Sequence, residues 1–403
     1  MYLHSNLFAQ QSYTWQQIKD KFQVANPTLR AGAIGIDESR AQQVTAFLRP
    51  NPDFIISADQ FEPFNTNPYR PFANVLNSNA ISYLHERQHK RELRRESAEK
   101  ATGIAESQQQ DLTRVLLFNL RSAFVQTLQA KAVRDLSQQN LDQYDRVLVL
   151  NRDRLKAGDI AQVDMDRLEL ARVQFESDLR TAEVNLRTAK IQLLTLLNDR
   201  TPVENFDVTG VFDFTEQVLP LGEFRRMAVE NRPDLRAAIQ AVDKAQTDHR
   251  LAIANGSTDP IFGVDYGRNP PLINYLGVSV TIPLRIFDRN QGEKARTELD
   301  IRRTDQLRAA SEAQVFSDVD SAYATLNTTL SLLRSYKANY LQTATKVRDT
   351  IDYSFQHGAA SLLDFLQAQQ EYRAVQVTYL NLVGSYLTAA GQLNLAVGRE
   401  VIQ

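Results

Sequence analysis

The sequence predicts a mainly helical protein with a small β part, built from one structural unit used twice. Three observations predict this: a set of motifs that recurs in both halves of the chain, apolar positions spaced for a coiled coil over four heptads, and short stretches of two-residue alternation.

The recurrence begins with Asn26-Pro27-Thr28-Leu29-Arg30-Ala31, which returns as Arg232-Pro233-Asp234-Leu235-Arg236-Ala237. Each copy follows a short amphipathic stretch. In both, the proline stands where a helix begins and its missing N–H costs nothing. Gly158 and Asp164 likewise return as Gly358 and Asp364. The stripe Leu168, Phe175, Ala182, Ala189, Leu196 is matched by Ala368, Val375, Leu382, Ala389, Ala396. A companion stripe Arg172, Leu179, Leu186, Leu193 is matched by Tyr372, Tyr379, Tyr386, Leu393. Both copies therefore carry a sustained a/d seam.

Each unit reads as a helix after the proline, two short strands, a very long helix, a Gly turn and a helix of intermediate length. From Lys90 to Leu155 there is no proline, and at roughly 1.5 Å per residue this makes a helix of about 100 Å. The Ile160–Asn198 helix is too short to cover it, whereas this helix and the Pro27–Leu48 helix together nearly match it. The two shorter helices are expected to stack end to end beside the long one, with their junction near its middle.

Residues 261–268 alternate, with Phe262, Val264 and Tyr266 opposite Gly263, Asp265 and Gly267. Residues 274–284 set Leu276, Val278, Val280 and Ile282 against Gly277, Ser279 and Thr281, and a loop with Pro270-Pro271 joins the two as a hairpin. Their counterparts are Phe54–Phe61 and Val75–Leu84. Strands of about ten residues suit a tilted bilayer crossing, but four cannot close a barrel, and unpaired edges are not tolerated in lipid. Three copies would supply twelve strands. A soluble four-stranded sheet packed on a helix would show the same alternation. The expected organisation is a first repeat over 1–200, an equatorial linker rich in Pro, Gly, Asp and Phe over 201–222, and a second repeat over 223–403.

Composition narrows the function. With 46 basic and 48 acidic residues the formal net charge is −2, so no overall field favours nucleic acid or an anionic surface. Cysteine is absent, which removes disulfides, zinc–thiolate sites and a lipidated N-terminal Cys. No stretch reaches the roughly 20 apolar residues of a membrane-spanning helix, in keeping with a mean hydropathy of −0.38. Any contact with lipid falls to strands. Met1 to Gln11 hold no basic and apolar signal sequence, although Leu7-Phe8-Ala9-Gln10 reads equally as the tail of a cleaved signal or as an ordinary start.

Over essentially its whole length the chain resembles the TolC-like outer-membrane factor family. The resemblance is carried by Tyr13-Thr14-Trp15-Gln16-Gln17, by the Pro27 motif, by Leu48-Arg49-Pro50-Asn51-Pro52, and above all by the strand-to-helix junction running from Val278 through Ile282-Pro283-Leu284-Arg285-Ile286-Phe287-Asp288-Arg289-Asn290 to Gly292. That junction is similar to the CzcC-like metal-efflux branch. The resemblance implies a homotrimer with a twelve-stranded barrel in the bacterial outer membrane and a helical tunnel through the periplasm. It also implies a passive exit channel for small molecules or metal ions, coupled to a periplasmic adaptor (membrane fusion) protein and an inner-membrane pump.

By the same resemblance the Gly turns form the periplasmic tip, and Asp364 and Asp164 are candidate gate carboxylates. Three copies of Asp364 in a narrow pore would raise its pKa and favour cations; an Asp in the first turn of a helix also stabilises that terminus. Phe355 and Ala360 stand where some members of the family use a latching Tyr and Arg, and Gln367 stands where a second carboxylate is expected. Either packing holds the closed state or the entrance is looser. Leu155–Asp159 and Gln356–Ala360, with Gly158, Gly358, Lys156 and His357, are the expected adaptor-docking surfaces.

No catalytic motif and no cofactor site is legible. Of the five histidines only His85 and His89 are spaced for a metal, and their highly charged surroundings read as a solvated surface. Two other readings compete. A periplasmic adaptor needs one hairpin between split β-domains, whereas this chain carries two, and a cytosolic coiled-coil scaffold leaves the alternating strands unexplained.

Overall fold

The computed structural model describes residues 11–64, 68–215, 219–268 and 274–402. His4, the Leu7–Gln10 stretch and the Pro270-Pro271 loop lie outside the described residues. In chain order the elements are β1 (Gln11–Tyr13), α1 (Trp15–Ala25), α2 (Pro27–Phe47), β2 (Asp53–Asp59), β3 (Leu76–Leu84), α3 (Lys90–Ala157) and α4 (Gln162–Leu196). After a 3-10 turn at Val203–Asn205 come β4 (Phe206–Val208), α5 (Leu221–Asn231), α6 (Pro233–Asn255), β5 (Ile261–Arg268), β6 (Tyr275–Thr281) and α7 (Gln291–Ser335). A π-helical turn at Tyr336–Tyr340 leads to α8 (Leu341–Gln356) and then α9 (Leu362–Val397).

Local chemistry sets these boundaries. Thr14 and Gln17 close a capping box on α1, the Thr14 N–H donating to Gln17 Oε1 at 2.9 Å. Pro27 and Pro233 open α2 and α6, and the Asn26 side chain caps α2 by accepting from the Leu29 N–H at 3.1 Å. α9 stops at Gly398, whose φ of 87° is left-handed. Apart from shifts of one or two residues at element ends, the structure departs from the sequence expectation in the following ways. The last strand ends at Thr281 rather than 284, because Pro283 has no N–H for a ladder. The long second helix is interrupted by the π turn. The short strands β1 and β4, which pair in parallel, were not expected.

Two compact units divide the chain, each drawn from both halves of the sequence. The first holds the described residues within Met1–Ala31, Gln110–Pro233 and Ala313–Gln403. In it Leu29 at the start of α2 and Leu193, Leu194 and Leu197 at the end of α4 share one core with Leu120, Ala123 and Phe124 of α3. The two shorter helices thus meet beside the middle of the long one, where the sequence put their junction. β4 is pinned to the same helices by a buried carboxylate. Asp207 takes Lys131 Nζ at 2.5 Å and Lys190 Nζ at 3.1 Å, and Lys190 also donates to the Phe206 carbonyl at 2.8 Å.

The second unit comprises Gly32–Gln109 and Asp234–Glu312. Its helices meet through small polar side chains: Ser39 and Thr102 hydroxyls lie 2.9 Å apart, and Ser107 donates to Gln240 at 2.8 Å. Its sheet runs β2-β3-β5-β6, antiparallel throughout, with β2 and β6 as the two edges. The sheet is anchored to the helices by Lys90, buried at the start of α3, whose ammonium donates to Asp259 at 2.5 Å and to the Ser257 carbonyl at 3.0 Å.

Candidate functional site

The two Gly turns have one geometry. Gly158 (φ 84°) and Gly358 (φ 75°) are left-handed, a conformation that a Cβ penalises. Gly158 N–H donates to Leu155 O and Asp159 N–H to Arg154 O, at 3.0 and 2.9 Å. Gly358 N–H donates to Phe355 O and Ala359 N–H to Ser354 O, at 3.1 and 2.8 Å. Both turns are therefore Schellman motifs that satisfy the last carbonyls of α3 and α8.

The helices that leave the turns begin differently. Asp364 closes a capping box on α9: Ser361 Oγ donates to its carboxylate at 2.7 Å and its own N–H donates back at 3.2 Å. The carboxylate also accepts from the Ser361 N–H at 3.2 Å, and the bonds from the Ser361 hydroxyl and N–H hold the exposed Asp364 carboxyl below the ordinary carboxylate range. Within one chain this opposes the rise that a ring of three would cause. Asp164 occupies the same position on α4, but the residue before that helix is Ala161, which offers no side-chain cap, and Asp164 pairs with Arg167 at 3.8 Å.

Phe355 is buried and stacks on Phe365 with centroids 4.8 Å apart. It belongs to a core with Tyr144, Leu148, Met165, Leu168 and Phe175, where Tyr144 stacks on Phe175 at 4.3 Å and donates to the Leu168 carbonyl at 3.0 Å. Burying each such ring is worth about 1.5–3 kcal/mol. The first hairpin also reaches the second through Arg154. It donates to the Phe355 carbonyl at 3.4 Å and lies 5.5 Å from that ring's centroid. Gln367 is exposed and donates to Glu371 at 2.9 Å. Lys156 pairs with Asp153 at 2.8 Å, and His357 Nδ1 lies 2.8 Å from the Tyr353 carbonyl with its ring against that tyrosine. The eight candidate residues thus all fall at one of the two turns or in the first turns beside it. Sequence reasoning missed Ser361 and Arg154. The Ser-x-x-Asp spacing from Ser361 to Asp364 was a legible signal for the first; Arg154 acts on a residue 201 positions away and had none.

The sheet has two unlike faces. Across the register Phe54, Ile81, Val264 and Val278 form one row, and Tyr83, Phe262 and Val280 form the next. Most of these apolar side chains are exposed, Val278 at 83%. The opposite face is mostly small and polar, with Ser57, Ser78, Ser82, Gly263, Asp265, Gly277 and Ser279, although Ile55 and, at one end, Leu84 and Ile261 also lie on it. A soluble sheet buries its apolar face; this one leaves it uncovered and puts small polar groups on the other side. No helix among the described residues is long and apolar enough to cross a membrane.

Residues 225–399, from α5 through α9, match the model of a family described as outer membrane efflux protein. Over those residues the chain is similar to the outer membrane efflux protein family. It is 26% identical over 263 residues to the cobalt-zinc-cadmium resistance protein CzcC of Cupriavidus metallidurans, a match that takes in 61% of this chain and 59% of that protein. Against the outer membrane protein TolC of Escherichia coli it is 24% identical over 95% of the chain and 83% of TolC. Among solved structures, CusC superposes with a TM-score of 0.81 at 17% identity, covering 99% of this chain and 95% of CusC. The open state of the Neisseria gonorrhoeae MtrE channel gives 0.77 at 16% identity, covering 100% and 94%. These superpositions establish a TolC-like fold, a helical hairpin architecture with a small sheet. Gly358, Asp364 and the last two strands lie inside the family match, whereas Gly158 and Asp164 lie before it.

Proposed function

We propose that the chain is one protomer of a homotrimeric exit duct in the bacterial outer membrane. The observation that carries this reading is the four-stranded sheet with its apolar face uncovered and both edges open. Edges left open in lipid strand backbone N–H and C=O groups, so β6 of one copy takes β2 of the next. Three copies close a barrel of twelve strands whose small polar face lines a wet lumen. The recurrence of Pro27 at Pro233 and of Gly158 at Gly358 supports two repeats, 1–200 and 223–403, joined through the linker 201–222.

The helical hairpins continue the duct into the periplasm and end at the two Gly turns. There Asp364 and Asp164 face a narrowed entrance, Phe355 and Gln367 flank it, and Gly158, Gly358, Lys156 and His357 offer the surface on which a periplasmic adaptor seats and links the duct to an inner-membrane pump. The duct is passive and performs no catalysis. Its cargo is small molecules or metal ions, cations above all. This rests on the candidate carboxylate ring and on the likeness to a cobalt-zinc-cadmium resistance protein.

The test uses protein expressed behind a signal peptide and extracted from outer membranes. Because the chain has no cysteine, single cysteines can be placed along β6. Positions 276, 278 and 280 are expected to react with lipid-phase probes and positions 277, 279 and 281 with aqueous ones, on a particle with the mass of three chains. A water-soluble monomer or dimer with uniform aqueous labelling would return the periplasmic adaptor or the coiled-coil scaffold.

A further inference from the structure

The apolar stripe of β6 does not stop where the ladder stops. Leu276, Val278 and Val280 are followed at the same spacing by Ile282, Leu284 and Ile286, and then by Phe287; all are exposed, Leu284 at 78% and Phe287 at 91%. A strand needs about 9–11 residues to cross the hydrocarbon at a tilt. Counted from Tyr275, that length is used up near Leu284, so Ile286 and Phe287 fall beyond the apolar band and need another cover. The segment is not a loose tail. Asn290, in a left-handed conformation (φ 61°), fixes its far end: the Asn290 N–H donates to Asp288 at 2.8 Å and its side chain donates to the Ala252 carbonyl at 2.8 Å. Arg285 Nε is buried with no hydrogen-bond partner.

The direction of the edge strands says what lies alongside. In the barrel proposed above, β6 runs antiparallel to β2 of the next copy, so the residues after Thr281 lie beside the residues before that copy's Asp53. Those residues are the Leu48–Pro52 corner at the end of α2, where Val44 and Leu48 are exposed at 66% and 60%. Pro50, Pro52 and Pro283 lack N–H groups, so no ladder continues there and side-chain contact has to take over.

We infer that Ile282–Phe287 of each copy is a strap that laps over the Val44–Pro52 corner of its neighbour, burying Leu284, Ile286 and Phe287 against Val44 and Leu48. The occupant is a second copy of this chain. The inference rests on the trimeric reading, and a strap of this kind locks the junction between barrel and helices from outside the membrane.

The chain's lack of cysteine makes the test direct. In outer membranes treated with a short bis-maleimide, the double variant Leu48→Cys with Phe287→Cys is expected to run as covalent dimer and trimer on a denaturing gel. Each single variant should stay monomeric there, and so should Leu48→Cys with Leu276→Cys, because Leu276 stands at the far end of β6. Phe287→Ala is expected to lower the temperature at which the extracted trimer dissociates while leaving its conductance unchanged. A native particle of three chains in which the double variant forms no covalent dimer, and in which the thiol introduced by Phe287→Cys reacts with lipid-phase probes, overturns the strap and leaves the trimer standing. A particle of one chain removes both.

Discussion

At the scale of single residues, Asp364 carries the most chemistry. Its carboxylate serves the N-terminus of α9 and, in the proposed trimer, faces the entrance. The two roles separate by mutation. Ser361→Ala removes the hydrogen-bond donor and is expected to cost about 1 kcal/mol at the helix end while keeping the charge. The sign of its pH effect follows from the Ser361 bonds, which depress the carboxyl's pKa. The variant loses the hydroxyl bond and keeps the backbone N–H bond, so the depression is relieved in part and the loss of cation selectivity on acidification should begin at a higher pH in Ser361→Ala than in the parent. Reversal potentials measured from pH 7 downward check this; an unshifted or lower titration point would show that Ser361 does not tune the carboxylate. Arg154 shows why such detail was only partly legible. Asp364 is visible because its Gly and its Asp recur at fixed spacing. The Arg154 contact to Phe355 joins two hairpins and leaves no local pattern.

At the scale of elements, the long helices and their junction were legible, because an a/d seam and helix-starting prolines act through neighbours in sequence. β1 and β4 were not. Each has three residues, too few for alternation to register, and they find each other across nearly half the chain. What holds β4 is Asp207. Burial alone would push its carboxyl up, but the bonds from Lys131 and Lys190 outweigh this and hold it below the ordinary range. Stability from this group is therefore complete above the usual carboxylate pKa and is lost as pH falls through the lowered folded value. Asp207→Asn leaves Lys190 buried without its anion and is expected to cost about 3 kcal/mol, read as a lower melting temperature in detergent near neutral pH. An unchanged melting temperature would mean that β4 is held by its apolar contacts alone. At the turn, Gly358→Ala has open space for the new methyl but a left-handed backbone, so about 1 kcal/mol of pure conformational strain is expected.

At the scale of the whole molecule, the alternating strands were read correctly in number and close to their observed ends, since period two is set by the backbone itself. The sequence left open whether their apolar face meets lipid or packs on a helix. In the structure that face is exposed and the other face is mostly small and polar, the pattern of a membrane barrel wall. A charge on the apolar face should then be costly and one on the polar face tolerated. Val278→Lys is expected to cost about 2–4 kcal/mol near the bilayer midplane and to deplete the protein from outer membranes, whereas Ser279→Lys should assemble normally. Equal recovery of the two variants would argue against lipid contact.

The most direct test of the duct is single-channel recording of the detergent-extracted protein in planar bilayers, with the parent and Asp364→Ala compared side by side. A gated duct gives stable, cation-selective conductance steps in the parent, with larger steps and weaker selectivity in the variant. Absence of conductance from a correctly extracted trimer, or identical steps and selectivity in parent and variant, would contradict the duct or its gate respectively.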